Sequence, residues 1–129
     1  MSIEITNPDR NGNTFSVGDG VTFRIHTDCS AYTVTEVSPK RMTLRLDDQK
    51  LLNAPNSGEP DALKCDVGGF AAHVSGKQRW SYTPNPEGPV LKVSLRKTGE
   101  WVQAGHPTNS PGCRLTRKPG RHAHQDFNY

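Results

Sequence analysis

No stretch of this 129-residue chain approaches the ~20 consecutive apolar residues of a membrane-spanning helix. The opening, MSIEITNPDR, is polar and acidic, unlike a secretory signal. The expectation is a cytoplasmic protein with no membrane association. Cysteine is scarce. Cys29, Cys65 and Cys113 are too far apart for a Cys-x-x-Cys metal knuckle, and their odd number argues against a disulfide framework. Apolar residues make up only 32% of the chain, which predicts a thin core that an oligomer or a bound ligand would reinforce. Sustained 3.6-residue periodicity is missing, and with it any case for a long helix. Also missing are HExxH, EF-hand, P-loop and Gly-x-Ser-x-Gly signatures, so no metal, cofactor or catalytic residue is assigned.

Turn-forming residues are abundant, with 12 Gly and 10 Pro, and between them lie short alternating segments. Residues 1–14 carry Asn7-Pro8 and Asn11-Gly12-Asn13 and read as a flexible arm, with room for a short strand at Ile3–Ile5. Val21, Phe23 and Ile25 alternate with Thr22, Arg24 and His26, the period of a half-buried strand. Ala31–Val37 is rich in β-branched and aromatic residues, and Met42, Leu44 and Leu46 alternate again. These three strands predict a meander with one apolar face. A second meander is expected from Gln78–Thr83, Leu91–Arg96 and Glu100–Gln103, with Pro84–Gly88 as the hairpin loop between the first two. Leu63–Val67 suggests a short strand, and the ending on Phe127 and Tyr129 suggests a last strand packed on the sheet. The fold class is therefore all-β or mainly β: residues 15–129 form a single small antiparallel barrel or sandwich with an inserted loop at 51–77. The expected core is Val21, Phe23, Ile25, Val34, Met42, Leu44, Leu46, Leu91, Val93, Leu95 and Trp101. The Val17-Gly18-Asp19-Gly20-Val21 opening resembles that of SH3-like barrels, although fold alone does not imply function.

Charge is unevenly spread. Residues 1–70 hold 7 Lys/Arg against 10 Asp/Glu, whereas residues 71–129 hold 9 against 3. A basic second half suits an anionic partner such as a phosphate, a nucleotide or nucleic acid; a solvated basic face gives the same composition. The densest candidate site is the glycine-rich stretch from Gly58 to Tyr82. Gly68 and Gly69 would present backbone N–H groups to an anion, and His73, Lys77, Gln78 and Arg79 would bind it. Trp80 and Tyr82 would stack on a base. The competing reading is a structural loop with Trp80 in the core and the charges in solvent. Arg114, Arg117, Lys118 and Arg121 form a basic patch fit for non-specific phosphate attraction. His122 and His124 share a strand face, a spacing metals use and surface histidines also show.

From Ala31 onward the chain resembles an uncharacterised family of small phage and prophage accessory proteins. The resemblance rests on Leu51-Leu52-Asn53, Asn56–Leu63, Gly68–His73, Gly76–Tyr82, Ser94–Lys97, Gly99-Glu100-Trp101 and Gln125–Tyr129. It implies a virus-encoded protein acting in a bacterial host cell, and it brings no activity with it. Two readings of different class stay open, with a third beside them. One is a non-enzymatic protein that captures a phosphate-bearing ligand, sequestering a host immune nucleotide signal or binding nucleic acid. The other is an interaction module that blocks a host defence enzyme through its β-surface. A nucleotide-processing enzyme is the third.

Overall fold

Val21 and Phe23 stand two apart on one strand, so both side chains reach the same interior. They are 2% and 1% exposed. The computed structural model in which they lie describes residues 5–25, 28–54, 57–66, 73–75, 78–108, 113–116 and 120–123. It is all-β. The first strands, β1 (Gly20–Ile25), β2 (Asp28–Ser38) and β3 (Arg41–Leu46), follow as antiparallel hairpins. The chain then runs through β4 (Asp48–Leu51), β5 (Lys64–Asp66), β6 (His73–Ser75) and β7 (Trp80–Thr83). It returns as β8 (Val90–Leu95), β9 (Trp101–Gln103) and β10 (Arg114–Leu115). Six of these close a barrel in the order β1-β10-β9-β8-β3-β2. Closure leaves the barrel strands no free edge. Among the described residues no helix is long and apolar enough to cross a membrane.

The interior combines Phe15, Val21, Phe23, Val34, Val37, Met42, Leu44, Val93, Trp101 and Leu115. Phe15 meets Trp101 edge to face at 6.4 Å between ring centroids, and Phe23 meets Tyr32 the same way at 6.0 Å. A β-bulge between Val34 and Glu36 inserts one residue into β2. It lets Val34 and Val37, three apart, both face inward while Glu36 turns out to solvent. Ile25, expected in the core, is 46% exposed. The pairing of β10 with β1 stops at Arg24, so Ile25 projects past the closed part of the barrel.

The segment expected to be a flexible arm carries specific bonds from residue 5 onward. Ile5 bridges Ser16, Thr6 and Phe15 exchange backbone and side-chain hydrogen bonds, and the Asn7 and Arg10 amides donate to the carbonyls of Pro39 and Gly99. Arg10 also pairs with Glu100 at 3.1 Å.

The second meander does not form as predicted, because β7 pairs with β4 while β8 pairs with β3 and β9. The 84–88 segment is thus a crossover rather than a hairpin loop. Its Asn85 side chain caps Glu87 in an Asx turn, and Leu46 donates to the Pro89 carbonyl, seating the segment against the end of β3. Within the inserted segment at 51–77, the short strand expected at Leu63–Val67 is β5, which pairs with β6, and β4 ends at Leu51. Phe127 and Tyr129, proposed as terminal anchors, lie outside the described residues.

Candidate functional site

Four of the eight residues expected at the glycine-rich site are described in side-chain detail: Gln78, Arg79, Trp80 and Tyr82. His73 is placed on β6, its backbone opposite Asp66. Gly68, Gly69 and Lys77 lie outside the described residues. The Arg79 guanidinium forks onto Asp61, from Nε to Oδ2 at 3.0 Å and from Nη2 to Oδ1 at 3.1 Å, and it reaches Glu59 at 3.4 Å. Hydrogen bonding from Arg79 lowers the Asp61 carboxyl below its ordinary range, and Asp61 in turn raises the arginine. Arg79 therefore already holds the carboxylate counterparts that a phosphate would have to displace. Beneath it Asn53 is fully buried. Its Oδ1 accepts from the Arg79 amide at 2.8 Å and its Nδ2 donates to the Asp61 carbonyl at 2.9 Å. The Trp80 indole donates to Gln78 at 3.0 Å, and the Tyr82 hydroxyl accepts from the Ala123 amide at 2.7 Å. Burial pushes the Tyr82 hydroxyl pKa up.

The expected basic patch divides in the same way. Arg114 pairs with Glu100. Arg121 crosses the barrel wall to Asp47 at 2.8 Å and Thr33 at 2.8 Å. Arg117 and Lys118 lie outside the described residues. His122 is held at Thr22, with Nδ1 3.0 Å from the hydroxyl, and His124 is not among the described residues. Among the described residues no group of three or more His, Cys, Asp or Glu stands ready to hold a metal.

Two further cations stand together on the barrel wall. On the outward faces of β3 and β8, the Arg41 guanidinium and the Lys92 ammonium make no hydrogen bond or ion pair with a described residue. They flank a groove of about 640 Å³. Its floor is the β2–β3–β8 wall, where Glu36 is opposite Thr43, Thr43 opposite Lys92, and Arg41 opposite Ser94. Ala104 and Gly105 form one rim, with the Ala104 amide bonded to the Lys92 carbonyl at 2.8 Å. Hydroxyls line the groove from Ser38, Thr43 and Ser94, and Glu36 is the single carboxylate among the described residues lining it. Composition gave no sign of this site, because Arg41 and Lys92 occupy ordinary polar positions on alternating strands. Pairing β3 with β8 is what brings them together. Two exposed cations over a concave hydroxyl-lined surface can hold a tetrahedral oxyanion by charge and by hydrogen bonds.

The chain matches no family model, no curated protein and no solved structure among those compared.

Proposed function

We propose that this protein is a non-enzymatic binding protein that captures a phosphate-bearing ligand in the groove across β2, β3 and β8. Supporting this reading is the partition of its cations. Arg79, Arg114 and Arg121 each carry a carboxylate partner, whereas Arg41 and Lys92 face the groove with none among the described residues. Desolvating a cation that is already paired gains little, while an unpaired one gains a charge-assisted bond when an anion arrives. The Ser94 hydroxyl accepts from Arg96 and keeps its own proton to donate, whereas the Thr43 and Ser38 hydroxyls already donate, to Glu36 and to the Arg41 carbonyl, both at 3.4 Å. On the resemblance to small phage proteins, the setting proposed for this capture is an infected bacterial cell, and the ligand proposed is a host nucleotide signal or nucleic acid.

Isothermal titration calorimetry with ADP tests the reading. Binding is expected in the intact chain, lost in the Arg41→Ala/Lys92→Ala double variant and kept in Arg79→Ala. Unchanged heats in the double variant would refute the groove, and loss in Arg79→Ala alone would return the site to the glycine-rich stretch. Recovery of a chemically altered nucleotide would refute the non-enzymatic reading.

A further inference from the structure

The groove is one part of a longer line of charge. On the outward side of the β3–β8 pair, successive rungs are Arg45 opposite Val90, Thr43 opposite Lys92, and Arg41 opposite Ser94. Each rung carries a cation, and the cation changes strand at every step. At the last rung Arg96 joins, its Nε donating to the Ser94 hydroxyl at 2.9 Å. Among the described residues the partners of Arg45 and Arg96 are all neutral: the Gly88 carbonyl for Arg45, and the Ser94 and Thr108 hydroxyls and the Gln103 carbonyl for Arg96. Like Arg41 and Lys92, these two keep their charge with no acid bonded to them among the described residues. Rungs on one face of a sheet repeat every two residues, about 7 Å apart.

Resting on the groove reading, we infer that the ligand is a single strand of nucleic acid, its phosphates running along Arg45, Lys92, Arg41 and Arg96. A mononucleotide uses one or two of these cations and leaves the rest uncompensated. A duplex presents phosphates on both sides of a groove about 12 Å wide and calls for two lines of cations. One line of cations, three of them on successive rungs and a fourth beside the last, suits one backbone. None of the described residues lining the groove is aromatic, and they offer bases no stacking platform. Val90, 49% exposed at the first rung, gives one apolar contact. The strand is therefore held by its backbone, with little preference for sequence.

The test is fluorescence anisotropy of a labelled dT12 oligonucleotide with the full chain in 50 mM and 200 mM KCl. Four phosphate contacts give a salt slope of about −2.8, so affinity is expected to fall roughly 50-fold between the two salts. Arg41→Ala/Lys92→Ala is expected to flatten the slope by about 1.4 and weaken binding. Lys50→Ala, which removes an exposed charge on β4, is expected to leave both unchanged. A flat salt response, or equal loss in Lys50→Ala, overturns the inference. So does a 12-base-pair duplex that binds as well as dT12. If ADP binds and is lost in the double variant while dT12 binds no tighter than ADP, the groove stands and the strand falls. If neither ligand binds, both fall.

Discussion

Arg121 reaches Asp47 across 74 residues of chain, Nε donating to Oδ2 at 2.8 Å. The Asp47 side chain is wholly buried, and its other oxygen accepts the Thr33 hydroxyl at 2.6 Å. Gly20 makes this possible, because a Cβ there would sit 2.6 Å from the Arg121 Cγ. The clasp pins residues 120–123 across β1, where Thr22 also donates to the Gly120 carbonyl at 2.8 Å. Arg121→Ala leaves a buried carboxylate without its cation and is expected to cost about 3 kcal/mol, read as a lower urea midpoint. Adding Asp47→Asn removes the stranded charge, so the double variant is expected to be more stable than Arg121→Ala alone. A double variant that is no better would show that the clasp acts by packing alone.

Gly88 is required by close approach. Any Cβ at this position would fall inside the contact distance of the Leu46 carbonyl oxygen, a backbone atom that cannot rotate away. Arg45 holds the Gly88 carbonyl at 2.9 Å, which fixes the crossover against β3. Gly88→Ala is expected to destabilise by about 2 kcal/mol or more, through a shifted crossover. Gly105→Ala is the comparison: unlike Gly88, Gly105 stands at a positive φ, but a Cβ there meets open space, and the substitution is expected to cost about 1 kcal/mol. Thermal unfolding of the two variants gives the ranking, and a reversed order would contradict the seating of the crossover.

Much of the barrel is legible in residue pattern, because β1, β3 and β8 put an apolar side chain at every second position. Val21 and Phe23, Met42 and Leu44, and Val93 announce their faces without help. β4 does not, because Asp48-Gln49-Lys50-Leu51 has no apolar face and becomes a strand only by pairing with β7. For the same reason the partner of β7 is not legible in the pattern: Trp80 and Tyr82 alternate, but alternation says nothing about which strand lies alongside. The site divides similarly. Arg79 stands out by type and neighbourhood, yet only distance reveals that Glu59 and Asp61 occupy it. Arg41 and Lys92 are unremarkable in sequence and become neighbours through strand pairing.

The Arg79–Asp61 pair gives a pH dependence with a definite sign. Hydrogen bonding to Arg79 lowers the folded-state Asp61 pKa, so the pair favours the folded state above the unfolded carboxyl pKa of about 3.9. That contribution fades as pH falls through the lower folded value. Carbon-detected NMR titration is expected to show a midpoint for Asp61 below 3.9, with the Arg79 Nε–H resonance moving in step. In Arg79→Ala the Asp61 midpoint is expected to rise to the ordinary carboxylate range. A midpoint unmoved by that substitution would mean that the fork is not populated in solution.

Glu36 is the one carboxylate in the groove, turned outward by the β2 bulge and sharing a row with Thr43 and Lys92. For an incoming phosphate it is a like charge about two residues' width from the cations. At that range in water each charge pair is worth about half a kcal/mol. Glu36→Gln keeps the shape and removes the repulsion, so ADP is expected to bind about threefold more tightly in low salt. Salt screens exposed charges, and at 1 M ionic strength the screening length shrinks to about 3 Å. The difference between the intact chain and Glu36→Gln is then expected to vanish. Glu87→Gln, outside the groove, removes the same charge from the protein as a whole. If it strengthens ADP binding equally, the gain reports net charge; if only Glu36→Gln does so, the phosphate sits between Arg41 and Lys92.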